Sequence, residues 1–323
     1  MKKLVLPVMF LLFVWMAFSA CSTVPGSGKE EPDSPLFDAV MRLTANSSWK
    51  LVDKIHLNFP TCHPQGLIKT GDDFFVSTVH VTTPISRDGY PDAAGYDRST
   101  GAGIGYLVKF DRKGNKTAEV ELGEGTMYHP GGIDFDGQDI WVPVAEYRPN
   151  SQAIVYKVNA GTMNAVEVFR YKDHIGGVVH DLKNKTINGV SWGSRRFYTW
   201  PISASGQVDK TDVPREELWT LNPQYYIDYQ DCHYIGNGKA LCSGLQTYTT
   251  PTGQLFGLSG IEILDLKTSL ILHQVPVKLF SDETGNAICQ NPFWLDANPD
   301  GTITAYFIPD DDDSYLYVFS VSP

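Results

Sequence analysis

Apolar and polar positions alternate along this chain in short runs, and compact hydrophilic turns separate the runs at regular intervals. The clearest case is HPGGIDFDGQDIWVPVAEYRP, residues 129–149. It holds a short run from Gly132 to Phe135, the pair Asp136-Gly137, and a second run from Asp139 to Tyr147. Asp-Gly between two apolar, β-branched runs predicts a tight hairpin, because both residues tolerate the left-handed backbone of a two-residue turn. After the polar break Arg148-Pro149-Asn150 comes a further strand pair, AIVYKVNA and AVEVFRY. Leading pairs of this kind stand at 66–81, 132–147, 177–192 and 232–248, and trailing pairs at 106–122, 154–169, 197–213 and 261–277. A recurring four-strand unit predicts blades packed side by side around an axis.

A fifth leading pair, 293–308, is followed by only one strand, 314–321. The missing strand is supplied at the other end by WKLVDKIHL, residues 49–57, which has the right alternation. Closure with that strand removes the open sheet edges. The pattern therefore predicts an all-β fold: a five-bladed β-propeller of four-stranded antiparallel blades, closed by an N-terminal strand. Six blades is the alternative, if residues 81–103 or 214–228 contain further strands. Residues 36–48 have room for a short helix.

The first residues follow another logic. Lys2 and Lys3 precede an apolar run, Leu4 to Phe18, that is too short for a comfortable membrane span. The run ends in Phe18-Ser19-Ala20-Cys21, which resembles a bacterial lipobox with Phe in place of the usual Leu. That resemblance implies lipidation of Cys21, and Ser22 after it implies sorting to the outer membrane. An ordinary secretory signal cut near Ala20 is the competing reading. The chain then divides into a lipoprotein signal peptide (1–20), a tether and short N-terminal segment (21–48) and the propeller (49–323). A net charge of −11 without a basic stripe excludes nucleic acid as partner. It also disfavours adsorption to anionic lipid, so the anchor would be the membrane contact.

Four cysteines follow Cys21: Cys62, Cys232, Cys242 and Cys289. Cys232 and Cys242 lie symmetrically about Asn237 in DCHYIGNGKALC, so a hairpin turn at Gly-Asn-Gly sets them opposite one another, where a disulfide is sterically allowed. Other pairings, or free buried thiols, remain open. No CxxC spacing occurs, which argues against structural zinc.

Propeller geometry brings the connection into each blade's first strand and the connection after its second strand to the same end of the ring. His63, His129 and His174 each precede an equivalent glycine by three residues, and His233 stands in the related Asp231-Cys232-His233 cluster. Four imidazoles on an axis would suit a divalent transition metal, in outline like the four-His iron site of the much larger carotenoid-cleaving propellers. The alternative is that each histidine caps its own blade. Second-strand ends add His80, Glu146, Ser191 and Gln246, and the loops beyond add Tyr147, Arg148, Trp192, Arg195 and the acidic run Asp310–Asp313; Asn291 joins from the last connection. Glu146, with His80, is the candidate general acid or base. A plain ion pair of Glu146 with Arg148 or Arg195 competes with that role. The ligand-binding candidates are His129, Tyr147, Arg148, Trp192, Arg195, Gln246 and Asn291. The longest loop, 82–102, is placed to fold over this mouth as a lid.

Two motifs are discounted. Gly189-Val-Ser191-Trp-Gly193 matches a nucleophile-elbow pattern, but a strand follows where a helix is required. Asp296 to Gly301 begins like a calcium loop, yet Phe307 stands where a glutamate ligand is needed.

With HPQG, HPGGID and WVPVAEYRPNS in view, residues 49–323 resemble a family of uncharacterised exported bacterial β-propellers. The resemblance implies a fold and no assigned reaction. A more distant likeness to lactonase and gluconolactonase propellers does not extend to their metal-binding Glu, Asn and Asp, which have no matching motif. The expected function is a membrane-tethered periplasmic propeller that binds a small molecule, glycan or protein segment at its mouth. The alternative is a hydrolase or lyase using Glu146 and the axial histidines, with or without metal.

Overall fold

Five four-stranded antiparallel sheets surround one axis in the computed structural model, which describes residues 33–323. The expected signal peptide, Cys21 and most of the expected tether lie outside the described residues. From the axis outward, the first blade runs His63–Thr70, Asp73–Thr83, Ala102–Asp111 and Lys116–Leu122. The fourth runs Asp228–Gly236, Lys239–Thr249, Leu255–Asp265 and Leu270–Val277. In the fifth, Phe293–Ala297, Ile303–Phe307 and Tyr315–Ser322 are completed on the outside by Ser48–His56, paired antiparallel with the last strand. The ring is thus closed by the N-terminal strand, and the blades number five.

Every strand that reads as alternating in the sequence sets its apolar side chains between two blades. Between the second and third blades, Phe169, Tyr171, Tyr198 and Trp200 form one buried aromatic cluster. Burying each such side chain is worth about 1.5–3 kcal/mol. The helix α1 (Pro35–Met41), capped at its start by the Ser34 hydroxyl, packs Ala39 and Val40 into the core of the fourth and fifth blades. The segment from Asp33 on is therefore part of the propeller body, and any tether ends before it. Among the described residues no helix is long and apolar enough to cross a membrane.

Two local expectations differ from the structure. The third blade takes its outermost strand from Thr220–Leu221, beyond a short helix at Arg215–Leu218. Residues 202–213 instead make a turn closed by the Ser203–Gln207 pair and a single bridge from Ile202 to Val208. Pro201 and Pro214 lack N–H donors, which discourages a continuous ladder there. The innermost strand of the second blade is also broken, into His129–Pro130 and Asp134–Phe135.

The break follows from crowding at the axis. A β-carbon on Gly131 would stand 2.2 Å from the Gly176 carbonyl oxygen, and one on Gly132 would stand 2.9 Å from the Asp231 Cα. Backbone thus packs on backbone, and Gly132 bridges to Gly177 of the third blade instead of completing its own ladder. In the fourth blade the axial position is Asp231, wholly buried. Its carboxylate accepts N–H bonds from Leu67 of the first blade at 2.9 Å and from Ile133 of the second at 3.0 Å. Asp134 acts likewise, accepting from His180 of the third blade at 2.8 Å and from Tyr234 of the fourth at 3.0 Å. Two buried carboxylates therefore tie four blades across the axis, using inner-strand donors that have no further strand to pair with.

Candidate functional site

The axial crowding pushes the first usable space outward, to the end of the ring where the chain enters each blade. A cavity of 210 Å³ opens there, with His63, His129 and His174 in its wall. Three successive blades thus deliver their repeated histidine to one place. The fourth wall residue is Asp228. Counting back three positions from the axial residue gives His63 from Gly66, His129 from Gly132, His174 from Gly177 and Asp228 from Asp231. A register shift just ahead of the axial residue recurs in the first, third and fourth blades. Asp228 is therefore the fourth blade's counterpart of the histidines.

The three imidazoles differ in their hydrogen bonds. His129 is 5% exposed, stacked on the Tyr147 ring at 4.3 Å and edge-on to His63 at 5.7 Å. Its Nε2 has no hydrogen-bond partner among the described residues. Burial, with His63 and His174 close by, drives its pKa well below the usual value, so the ring is neutral at pH 7. His174 donates from Nδ1 to the Glu146 carbonyl oxygen at 2.8 Å, which leaves the lone pair on Nε2. Burial also lowers its pKa. His63 donates from Nδ1 to Asp311 at 2.9 Å, and its Nε2 faces the Gln65 side-chain amide at 2.8 Å. Burial works to raise the Asp311 carboxyl, but the His63 and Asn291 hydrogen bonds outweigh it and hold the group below its ordinary value. Asn291, itself fully buried, donates to Asp311 at 3.0 Å and to the Pro309 carbonyl at 3.1 Å.

Tyr147 and Trp192, 5.6 Å apart by ring centroids, form the aromatic side of the cavity. Residues 84–101 hold no strand and fold over the mouth. The Arg98 guanidinium lies 4.8 Å from the Trp192 ring, Arg148 lies 3.5 Å from the Tyr96 ring, and the Tyr128 hydroxyl donates to the Thr100 carbonyl at 2.6 Å. Each arginine around the mouth already has a carboxylate: Arg98 with Asp97 at 2.7 Å, Arg148 with Glu146 at 2.7 Å, Arg195 with Asp228 at 3.1 Å and Arg196 with Asp173 at 2.9 Å.

Other sequence candidates sit elsewhere. Glu146 is buried behind the His174 ring, its carboxylate taken by Thr126 at 2.6 Å, Gln152 at 2.9 Å and Arg148 at 2.7 Å. Burial pushes its pKa up, but those three partners outweigh it and the net shift is down. His80 is exposed on the first blade's second strand and is not among its hydrogen-bond partners. Gln246 belongs to the hairpin extension of the fourth blade, paired with Leu258, and does not line the cavity. Arg195 and Asn291 act through Asp228 and Asp311. Ser191 lines the cavity, but its hydroxyl accepts the Arg196 N–H and a single 3₁₀ turn follows it, so no nucleophile elbow forms.

His233 does not join the other histidines. It lies within the fourth blade's inner strand, 3.2 Å from Asp231, and its Nε2 donates to the Phe293 carbonyl at 2.9 Å. Burial opposes charge on that ring, but Asp231 and Asp134 hold its pKa above the usual value. Among the described residues no group of three or more His, Cys, Asp or Glu side chains has metal-holding geometry. The donor set falls short of a metal site: His63 has both nitrogens engaged, which leaves only His129 and His174 with an open ring nitrogen. Cys232 and Cys242, opposite each other in register, form a disulfide, while Cys62 and Cys289 are free.

Residues 33–322 match a family of unknown function, DUF6454. No curated protein matches the chain. Among solved structures, a hypothetical protein from Leishmania major is similar at a TM-score of 0.49 and 11% identity, over 83% of this chain and 90% of that one. A luciferin-regenerating enzyme is similar at 0.46 and 10%, over 86% and 96%. A glucose dehydrogenase is similar at 0.45 and 11%, over 82% and 99%. Likeness at this level carries nothing about ligand or reaction.

Proposed function

The chain belongs to the family of unknown function DUF6454, and from that premise we propose that it is a lipid-anchored periplasmic propeller whose mouth cavity binds a small polar molecule. The observation that carries this reading is the convergence of His63, His129, His174 and Asp228 on one cavity, with the His129 Nε2 buried there and unpaired. A buried polar nitrogen without a partner costs about 1–3 kcal/mol, and a ligand or water that meets it recovers that cost. The cavity, at 210 Å³, is smaller than the roughly 300–1,000 Å³ of sites for drug-sized ligands, which favours a compact occupant over a protein segment. The lipobox-like Cys21 supports the anchor, and the Cys232–Cys242 disulfide suits an oxidising compartment outside the cytoplasm.

Native mass spectrometry of the full chain, followed by extraction of any small molecule that travels with it, tests the binding reading. Stoichiometric retention that disappears in Trp192→Ala supports it. Retention unchanged in that variant would place binding elsewhere. For the anchor, Cys21→Ala should move the protein from the membrane fraction to the soluble one; an unchanged distribution would refute it.

The His63–Asp311 hydrogen bond favours a second reading, a hydrolase or lyase. Asp311 fixes the proton on Nδ1, so Nε2 would act as proton acceptor once a substrate displaces the Gln65 amide from it, a role the sequence suggests for Glu146 with His80. Loss of a measured activity in both His63→Ala and Asp311→Asn, with unfolding midpoints unchanged, would support it.

A further inference from the structure

We infer that the occupant of the mouth is a neutral, hydroxyl-rich ring, in the chemical class of a monosaccharide or cyclitol, gripped through its hydroxyl protons. This inference rests on the binding reading above and specifies its ligand.

Three observations converge on that class. The first is the polarity of the hydrogen-bonding groups. The His174 Nε2 carries a lone pair because its Nδ1–H is committed to Glu146. His63 adds no open group, because its Nδ1–H is committed to Asp311 and its Nε2 already meets the Gln65 amide. Asp228 offers carboxylate oxygens, only one of which meets Arg195. The His174 nitrogen and the second Asp228 oxygen are therefore open acceptors, and acceptors call for ligand donors. Hydroxyl groups supply donors without adding charge.

The second observation is charge. Arg98, Arg148, Arg195 and Arg196 are each already matched to a carboxylate, so no guanidinium is left over for a carboxylate or phosphate on the ligand. The neutral, buried ring of His129 offers no fixed positive charge either. An anion placed here would lose its hydration without gaining a counterion. A cation would find Asp228 already paired.

The third observation is shape. Tyr147 and Trp192 give the polar cavity flat walls, against which the C–H faces of a saturated ring pack, while its hydroxyls point outward to the acceptors. A volume of 210 Å³ limits the occupant to one ring of this kind or the end unit of a longer chain.

Saturation-transfer NMR on the full chain distinguishes the alternatives, with three probe mixtures used separately: neutral sugars and cyclitols (glucose, galactose, mannose, myo-inositol), the uronic acids, and the hexose phosphates. Transfer is expected from a member of the neutral mixture alone. It should vanish in Trp192→Ala, persist in Trp192→Phe, and weaken about tenfold in His129→Ala, as for the loss of one buried hydrogen bond. Transfer from the acids or phosphates with none from the neutral probes would overturn the inference and leave the binding reading standing. Neutral transfer that survives Trp192→Ala would overturn it as well. Silence from all three mixtures, together with no molecule retained on purification, would overturn both.

Discussion

Replacing Asp231 by alanine should destabilise the propeller more than any single change at the mouth. The side chain is wholly buried and holds the Leu67 and Ile133 N–H groups, which belong to two other blades. Both donors lie at the inner edge of their blades, Leu67 on the innermost strand and Ile133 in the break of its own, so neither has another strand to turn to. A buried donor left unpaired costs about 1–3 kcal/mol, which sums to roughly 2–6 kcal/mol for the pair. His233, 3.2 Å away, would lose its carboxylate partner in addition. A domain of this kind is stable by about 5–15 kcal/mol, so the variant should lose a large share of that margin. Asp231→Asn keeps the shape and one acceptor oxygen and should lose about half as much. Asp72→Ala, at an acid with 79% of its side chain exposed, is the control and should stay within about 0.5 kcal/mol of the parent. Urea unfolding followed by fluorescence measures all three, with the slopes compared to check that the unfolded states are alike. An Asp231→Ala protein within about 1 kcal/mol of the parent, at equal slope, would refute the idea that the axis is tied by carboxylates.

Asp134 makes a separate prediction in pH. Burial pushes its pKa up from 3.8 to about 6, against the pull of His233 and its N–H donors. The folded state then binds the proton more tightly than the unfolded chain, so this group's contribution to stability is full below about pH 4 and is lost as pH rises through about 6. The stability of the parent relative to Asp134→Asn should fall across that window in unfolding experiments at stepped pH; a difference that is flat or rising contradicts the assignment. At Gly131, alanine would place its β-carbon 2.2 Å from the Gly176 carbonyl oxygen, a backbone atom that can yield only if two blades part. Thermal unfolding of Gly131→Ala should show a loss of several kcal/mol, whereas Gly137→Ala, in open space at a turn with φ of 99°, should lose only the modest cost of a left-handed alanine.

Much of the blade framework was legible in the sequence because it depends on a local cause. The period-two alternation of KTAEVEL or LILHQVPV states which face is apolar, and a strand's neighbours in the chain are its neighbours in the sheet. Closure by residues 49–57 was legible for the same reason: one blade lacked a strand and one strand lacked a blade. The third blade's edge was not. Thr220–Leu221 is a two-residue strand with no period to detect, and it is held in place by its pairing with Arg196 and Phe197.

The candidate site divides along the same line. His63, His129 and His174 share a spacing from a glycine, so the sequence alone determined that they would be related by the ring and would meet at one mouth. His233 reads as one of them because Asp231-Cys232-His233 resembles the other connections, but the fourth blade carries aspartate where the others carry glycine, and a count from a glycine finds no anchor. Only the tertiary structure decided that Asp231 is the axial residue, that Asp228 therefore takes the histidine's place, and that His233 belongs to the core. The pairing of His63 with Asp311, 248 residues away, was likewise a matter of ring closure. The packing of Arg98 over Trp192 depends instead on the first blade's loop reaching across the mouth to the third. Local periodicity specifies strands and their faces; which polar groups meet across the axis depends on how closely the blades can approach, and that is set by backbone contacts at Gly131, Gly132 and Gly177 that no single blade contains.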